Sequence, residues 1–165
     1  MKFLLDTNVF IEAKNRYYAF DICPGFWDWI DDVCGSSVGS IINVCDELTG
    51  ATDDLSQWAK DRKDSGWFLN VDDEDTQECY SAIANHVVTG NHFTNSAIEK
   101  FLSDADSWLI AKASAIGATV VTHELPNPQS KKRVLIPDIC TAFSVDYLNT
   151  FDALREFSTK FGWMK

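Results

Sequence analysis

The chain has 165 residues, 45% hydrophobic and 13% aromatic with six Trp, and a formal net charge of -11. That length suits one domain with a real core, and the composition is too apolar for a disordered chain. The acidity argues against nucleic-acid binding through bulk attraction alone, and no apolar run approaches the roughly 20 residues of a membrane span.

Only Lys2 precedes the first apolar run, which Asp6 breaks after four residues, so a signal peptide is not expected and a cytoplasmic location is. Residues 2–6 read as a buried strand passing through the turn-formers Thr7 and Asn8 into a helix at 8–13. Asp6 then lies at the C-terminal edge of a strand, where open parallel α/β sheets bind ligands. An aromatic loop at 15–20 follows. Pro24-Gly25 opens a helix carrying Phe26, Trp27, Trp29, Ile30 and Val33, whose spacing turns the rings to the core, and 35–37 end it.

A helix is expected over 40–48, with Ile41, Val44, Cys45 and Leu48 on one stripe and Glu47 beside it. A charged helix follows at 53–64 and a strand at 67–71. The acids 72–75 are placed as the N-terminal residues of a helix at 75–88, where the helix dipole favours negative charge, rather than as a metal cluster. After the Gly90-Asn91 turn come helices at 95–102 and 105–116, then a β-branched strand at 118–122 that ends on His123-Glu124. A Pro-containing loop leads to a short strand at 134–136, a helix at 137–143, a strand at 145–148 and a closing helix at 150–161. Alternating strands and helices imply a parallel sheet covered on both faces by right-handed crossovers, and a single domain spanning 1–165.

The five cysteines are odd in number, irregularly spaced and without a CxxC pair, which fits buried thiols in a reducing compartment better than zinc or a disulfide framework. His86, His92 and His123 show no metal spacing, and His86 and His92 read as surface or helix residues. Local positive charge is confined to 131–133 and 60–63, and both read as solvated faces.

Four acids remain. Asp106 opens an apolar helix with small residues at Ala111, Ala113 and Ala115, and Glu124 lies one helix and one strand later, which can return it to the edge that holds Asp6. Glu47 is the fourth. Carboxylates from separated parts of the chain suit one or two hard divalent ions, Mg2+ or Mn2+, that activate water and stabilise a phosphodiester transition state. Asp104 competes with Asp106 as ligand or caps its helix. Thr7, Asn8 and Thr122 lie beside the acids and can orient them. Lys112 either steadies developing charge or is solvated.

The segments 3–10, Glu47-Leu48, Asp106 with 111–113, and 117–124 together resemble the PIN-domain family, and the chain is similar to the VapC-like ribonuclease toxins of bacterial toxin-antitoxin pairs. The resemblance implies a Rossmann-like three-layer α/β/α sandwich with about five parallel strands and a metal-dependent endoribonuclease with Asp6, Glu47, Asp106 and Glu124 as its acidic quartet. It also implies an RNA substrate, a cognate antitoxin as partner and a homodimer. Two departures stand out: the fourth acid is Glu where the family usually has Asp, and the aromatic stretch 15–29 is atypical of the small toxins. A catalytically weak, partner-binding relative that docks an antitoxin through those aromatics is the alternative. An aspartyl-phosphate phosphatase is disfavoured, because the position two after Asp6 is Asn8 rather than Asp.

Overall fold

Phe3, Leu4 and Leu5 are all buried, as the middle strand of a sheet covered on both faces must be. The computed structural model describes residues 2–33, 37–157 and 159. Its strands are β1 (Phe3–Leu5), β2 (Val38–Ile41), β3 (Phe68–Leu69), β4 (Thr119–Val121) and β5 (Tyr147–Leu148). The helices are α1 (Thr7–Asn15), α2 (Pro24–Val33), α3 (Ile42–Leu48), α4 (Asp54–Arg62), α5 (Glu74–Thr89), α6 (Asn95–Ser103), α7 (Ala105–Ile116), α8 (Ile136–Ala142) and α9 (Thr150–Glu156).

The strands form one parallel sheet in the order β3-β2-β1-β4-β5. Phe3 is in register with both Val38 and Thr119, and Leu5 with Val121. Strand order runs outward from β1 to β3 and then reverses to β4 on the other side of β1. With right-handed crossovers, that reversal puts the helices connecting β1 to β3 on one face and those connecting β3 to β5 on the other. The packing agrees: α1 rests on α3 and α4, and α7 rests on α5, α6 and α8.

Aromatic rings fill the first layer. Phe10, Trp27 and Trp67 all pack around Trp58 at centroid separations of 5.3 to 5.6 Å. Phe26 and Trp27 are buried, Tyr18 stacks on Phe26 at 4.4 Å, and Phe20 stacks on Trp27 at 4.0 Å. Of the aromatics in the 15–29 segment, Phe26 and Trp27 are therefore core, Tyr18, Phe20 and Trp29 pack half-buried against it, and Tyr17 is left 70% exposed. In the second layer Tyr80 of α5 stacks on Trp108 of α7 at 3.7 Å. Gly117, at φ +66°, takes the left-handed conformation that ends α7 and turns the chain directly into β4.

Three expected elements differ. The helix expected at 40–48 is β2 followed by α3, and the strand expected at 134–136 is instead the approach to α8, with Leu135 at its N-cap and Pro137 in its first turn, where a missing N–H is harmless. Ser40 fits the strand because its buried hydroxyl donates to the Leu5 carbonyl at 2.5 Å. Of the closing helix expected at 150–161, α9 runs to Glu156, and residues 158, 160 and 161 lie outside the described residues. Of the residues expected to end α2, Gly35 and Ser36 lie outside the described residues, as does Cys34. Cys45 and Cys140 are buried and Cys23 and Cys79 half-buried; burial alone pushes the Cys140 thiol up to about 12. Among the described residues no helix is long and apolar enough to cross a membrane.

Candidate active site

The reversal of strand order between β1 and β4 opens a crevice at their C-terminal ends, the position where parallel α/β sheets bind ligands. Asp6 leaves β1 there, its amide still donating to the Val121 carbonyl of β4 at 2.9 Å. Thr122 and Glu124 leave β4 at the same edge. Asp106 sits in the first turn of α7, and α3 packs against α7, so Glu47 comes in from the other flank.

Each acid is held by a neighbour. Asp6 is 1% exposed and accepts from the Thr122 hydroxyl at 3.0 Å. The same hydroxyl accepts from the Glu124 amide at 3.2 Å, so one threonine ties two site residues together. Glu47 accepts from the Thr7 hydroxyl and from the Ala105 amide at 2.8 Å, which joins α1, α3 and the start of α7 through one carboxylate. Glu124 accepts from Arg133 Nη2 at 2.7 Å and from the Ile136 amide at 2.8 Å. Asp104 occupies the N-cap position of α7 without a side-chain cap bond; its carboxylate instead pairs with Lys100 at 2.6 Å. Asn8 is exposed.

The electrostatics of the edge are one-sided. Burial, with added repulsion from Glu124 and Glu47 and against the restraint of its hydrogen bond from Thr122, raises Asp6 to about 6. Burial also raises Asp106, to about 8, with Asp6, Glu124, Glu47 and Asp104 all adding repulsion. The other three acids of the expected quartet thus all act on Asp106, and among the described ion pairs none involves Asp6 or Asp106. Lys112, the cation expected to be either solvated or at this site, is neither: it is 9% exposed and pairs with Asp73 Oδ2 at 2.5 Å, on the α5 side.

An all-oxygen donor set with excess negative charge is the chemistry a hard divalent ion requires. The side chains do not yet close around one, and among the described residues no three acidic, His or Cys groups are disposed as a coordination shell. Glu47 is drawn aside by Thr7 and Ala105, and Glu124 by Arg133 and Ile136. Among the described ion pairs only Glu124 of the four acids meets a cation, Arg133; Asp6, Asp106 and Glu47 meet none.

Residues 3–161 match the family described as Domain of unknown function (DUF4411). The chain belongs to that family. No curated protein matches it. Among solved structures, it is similar to the crystal structure of FitAcB from Neisseria gonorrhoeae, with a TM-score of 0.54 and 20% identity over 90% of this chain and 98% of that one. That likeness concerns the fold, and the fold of this DUF4411 chain is the PIN-like α/β sandwich that its sequence resembles.

In this DUF4411 member the site also holds residues that sequence reasoning placed elsewhere. Arg133 is exposed, as a solvated basic run implies, and it also donates to Glu124 and lines a cleft with Asp104, Asp106, Lys100 and Lys132. The run 131–133 was visible as charge; its proximity to the acids depends on how the β4–α8 connection folds back.

Proposed function

We propose that the chain is a divalent-cation-dependent endoribonuclease, the toxin member of a VapC-like toxin-antitoxin pair, with Asp6, Asp106, Glu47 and Glu124 as its metal-holding acids. The observation that carries this reading is the convergence of those carboxylates at the sheet's switch point with Asp6 and Asp106 unneutralised. The fold likeness to FitAcB supports the same reading.

Asp6 and Asp106 would hold Mg2+ or Mn2+ directly, and Glu47 and Glu124 would complete the shell directly or through water. A cation held there supplies a water of lowered pKa and neutralises charge on a scissile phosphodiester. Thr122 fixes the rotamer of Asp6 and anchors the start of the Glu124 loop. Thr7 and the Ala105 amide hold Glu47 at the rim, and Arg133 limits the swing of Glu124. Lys100, Lys132 and Arg133 line the cleft beside Asp106 and offer an anionic strand a local approach on an otherwise acidic protein.

The test is incubation of the purified protein with a mixed RNA pool in Mn2+, Mg2+ or EDTA, beside Asp6→Asn. Cleavage that needs metal and disappears in the variant is the expected result; equal cleavage by both proteins would reject the assignment. A partner-binding role draws on exposed Tyr17 and Ile22, since Phe26 and Trp27 are committed to the core. It is tested by antitoxin affinity and oligomeric state after Tyr17→Ala, with a homodimer as the expected state of the wild type.

A further inference from the structure

A second hollow adjoins the acid edge on its α1 side. It is lined by Val9, Glu12, Tyr17, His123, Thr150 and Phe151, with Ala13 and Tyr18 at its floor. Its position follows from the topology. His123 stands between Thr122, which bonds Asp6, and Glu124, so the hollow and the acids share the C-terminal end of β4.

The lining combines flat rings with hydrogen-bond acceptors. Tyr17 is 70% exposed and Phe151 44% exposed, large apolar surfaces left open at the crevice. The His123 ring is pinned by a 2.9 Å hydrogen bond between Nε2 and the Thr150 hydroxyl, and it meets Phe151 edge-on at 6.3 Å. Glu12 is half-buried and, among the described residues, its carboxylate has no hydrogen-bond or ion-pair partner. A half-buried carboxylate that only accepts, set among aromatic rings, calls for a planar ligand with N–H donors on its edge.

We infer that this hollow is a nucleobase subsite that takes one unpaired guanine of a single-stranded RNA, the base resting on Tyr17 and Phe151 while Glu12 accepts from its N1–H and 2-amino group. Guanine is the base that fits. Adenine and cytosine each present an acceptor beside their amino group, and the single N–H of uracil is flanked by two carbonyls, so each sets a lone pair against the carboxylate. Stacking on aromatic side chains is the usual means of holding a single strand and requires an unstacked base. The inference rests on the nuclease reading for its substrate class, and it adds a base preference at a fixed offset from the cut.

The experiment has two arms. In the first, wild type, Glu12→Gln and Tyr17→Ala digest an unstructured RNA pool in Mn2+, and the cut ends are sequenced. In the second, guanosine and adenosine 5′-monophosphates are titrated into the same proteins in EDTA, where cleavage is excluded. The expected result is guanine at one fixed position near the cut and GMP binding tighter than AMP by about tenfold or more, the scale of a good bidentate base contact. Both preferences should collapse in Glu12→Gln, and Tyr17→Ala should weaken GMP and AMP alike. Cleavage with no base preference, or with one that both variants retain, overturns the subsite and leaves the nuclease reading standing. GMP preference in EDTA that Glu12→Gln abolishes, without cleavage of any RNA, sustains the subsite and counts against the nuclease. A change from dimer to monomer in Tyr17→Ala with nucleotide binding intact gives the hollow to a second copy of the chain and overturns the proposal.

Discussion

The two halves of α7 hold ionisable groups under opposite conditions. At its first turn Asp106 is partly buried and crowded by Asp6, Glu124, Glu47 and Asp104, and burial first, with that repulsion added, pushes its carboxyl up to about 8. Six residues on, Lys112 is nearly buried but fully answered: Asp73, the N-cap of α5, pairs with it while accepting from the Thr76 amide at 3.0 Å. Those bonds, led by the one from Lys112, hold Asp73 well below the usual carboxylate range. A folded protein keeps the second arrangement for its own stability, since it clamps α5 to α7. The first arrangement offers the fold no such clamp and is what the proposed cation site rests on.

The contrast can be broken most severely in the acidic half. Asp106→Asn should lower metal-dependent RNA cleavage to about a hundredth or less, the scale on which loss of a group stabilising transition-state charge acts. The same variant should fold at least as well as wild type, because an amide removes the repulsion. Cleavage per folded molecule and the melting temperature, measured on one preparation, check both halves. A smaller effect belongs to Thr122→Val, which frees the Asp6 carboxylate and the Glu124 amide at once; metal affinity should fall about tenfold, as for other groups that orient ligands from behind. Affinity unchanged by that substitution would mean Asp6 is fixed by packing alone.

The pH dependence separates the two halves with opposite signs. Asp6 and Asp106 have raised values, so the native chain keeps protons that the unfolded chain has released. Their contribution to stability is fully present below the ordinary carboxylate value of 3.8 and is lost as pH climbs through about 6 and about 8. Asp73 has a lowered value, so its contribution is present above 3.8 and lost as pH falls further. In EDTA the melting temperature should therefore decline from pH 5 to pH 8.5, and Asp106→Asn should flatten that decline. Saturating Mn2+ should flatten it too. A wild-type curve that is already flat would show that the acids are not crowded as described.

In the paired half, Asp73→Ala should lower the melting temperature by stranding the Lys112 ammonium, whereas Lys112→Met removes charge and desolvation together and should be milder. Neither should alter cleavage per folded molecule, which distinguishes Lys112 from a group that steadies the reaction.

Legibility in the sequence followed the same division. Asp6 was readable because an apolar run that halts on a carboxylate has few structural uses. Asp106 and Glu124 were readable because one helix and one strand between them return the chain to one edge. The core role of Phe26 and Trp27 followed from helical spacing. The strand β2 was hidden because Gly39 and Ser40 are poor strand formers, and the carbonyl that accepts from the Ser40 hydroxyl is that of Leu5, 35 residues earlier. Val134 to Ile136 imitated a strand because all three are buried, but they are packed as a helix approach rather than paired in the sheet. The partners of Lys112 and Arg133 are 39 and 9 residues away, set by tertiary packing that no local pattern encodes.

The most direct test of the central claim is a calorimetric titration of Mn2+ into wild type, Asp6→Asn and Asp106→Asn at neutral pH, with circular dichroism to verify folding. The wild type should bind Mn2+ saturably, with proton release as Asp106 gives up its hydrogen, and both variants should lose that binding. Binding that both folded variants retain unchanged, or no binding by the wild type, would contradict that claim.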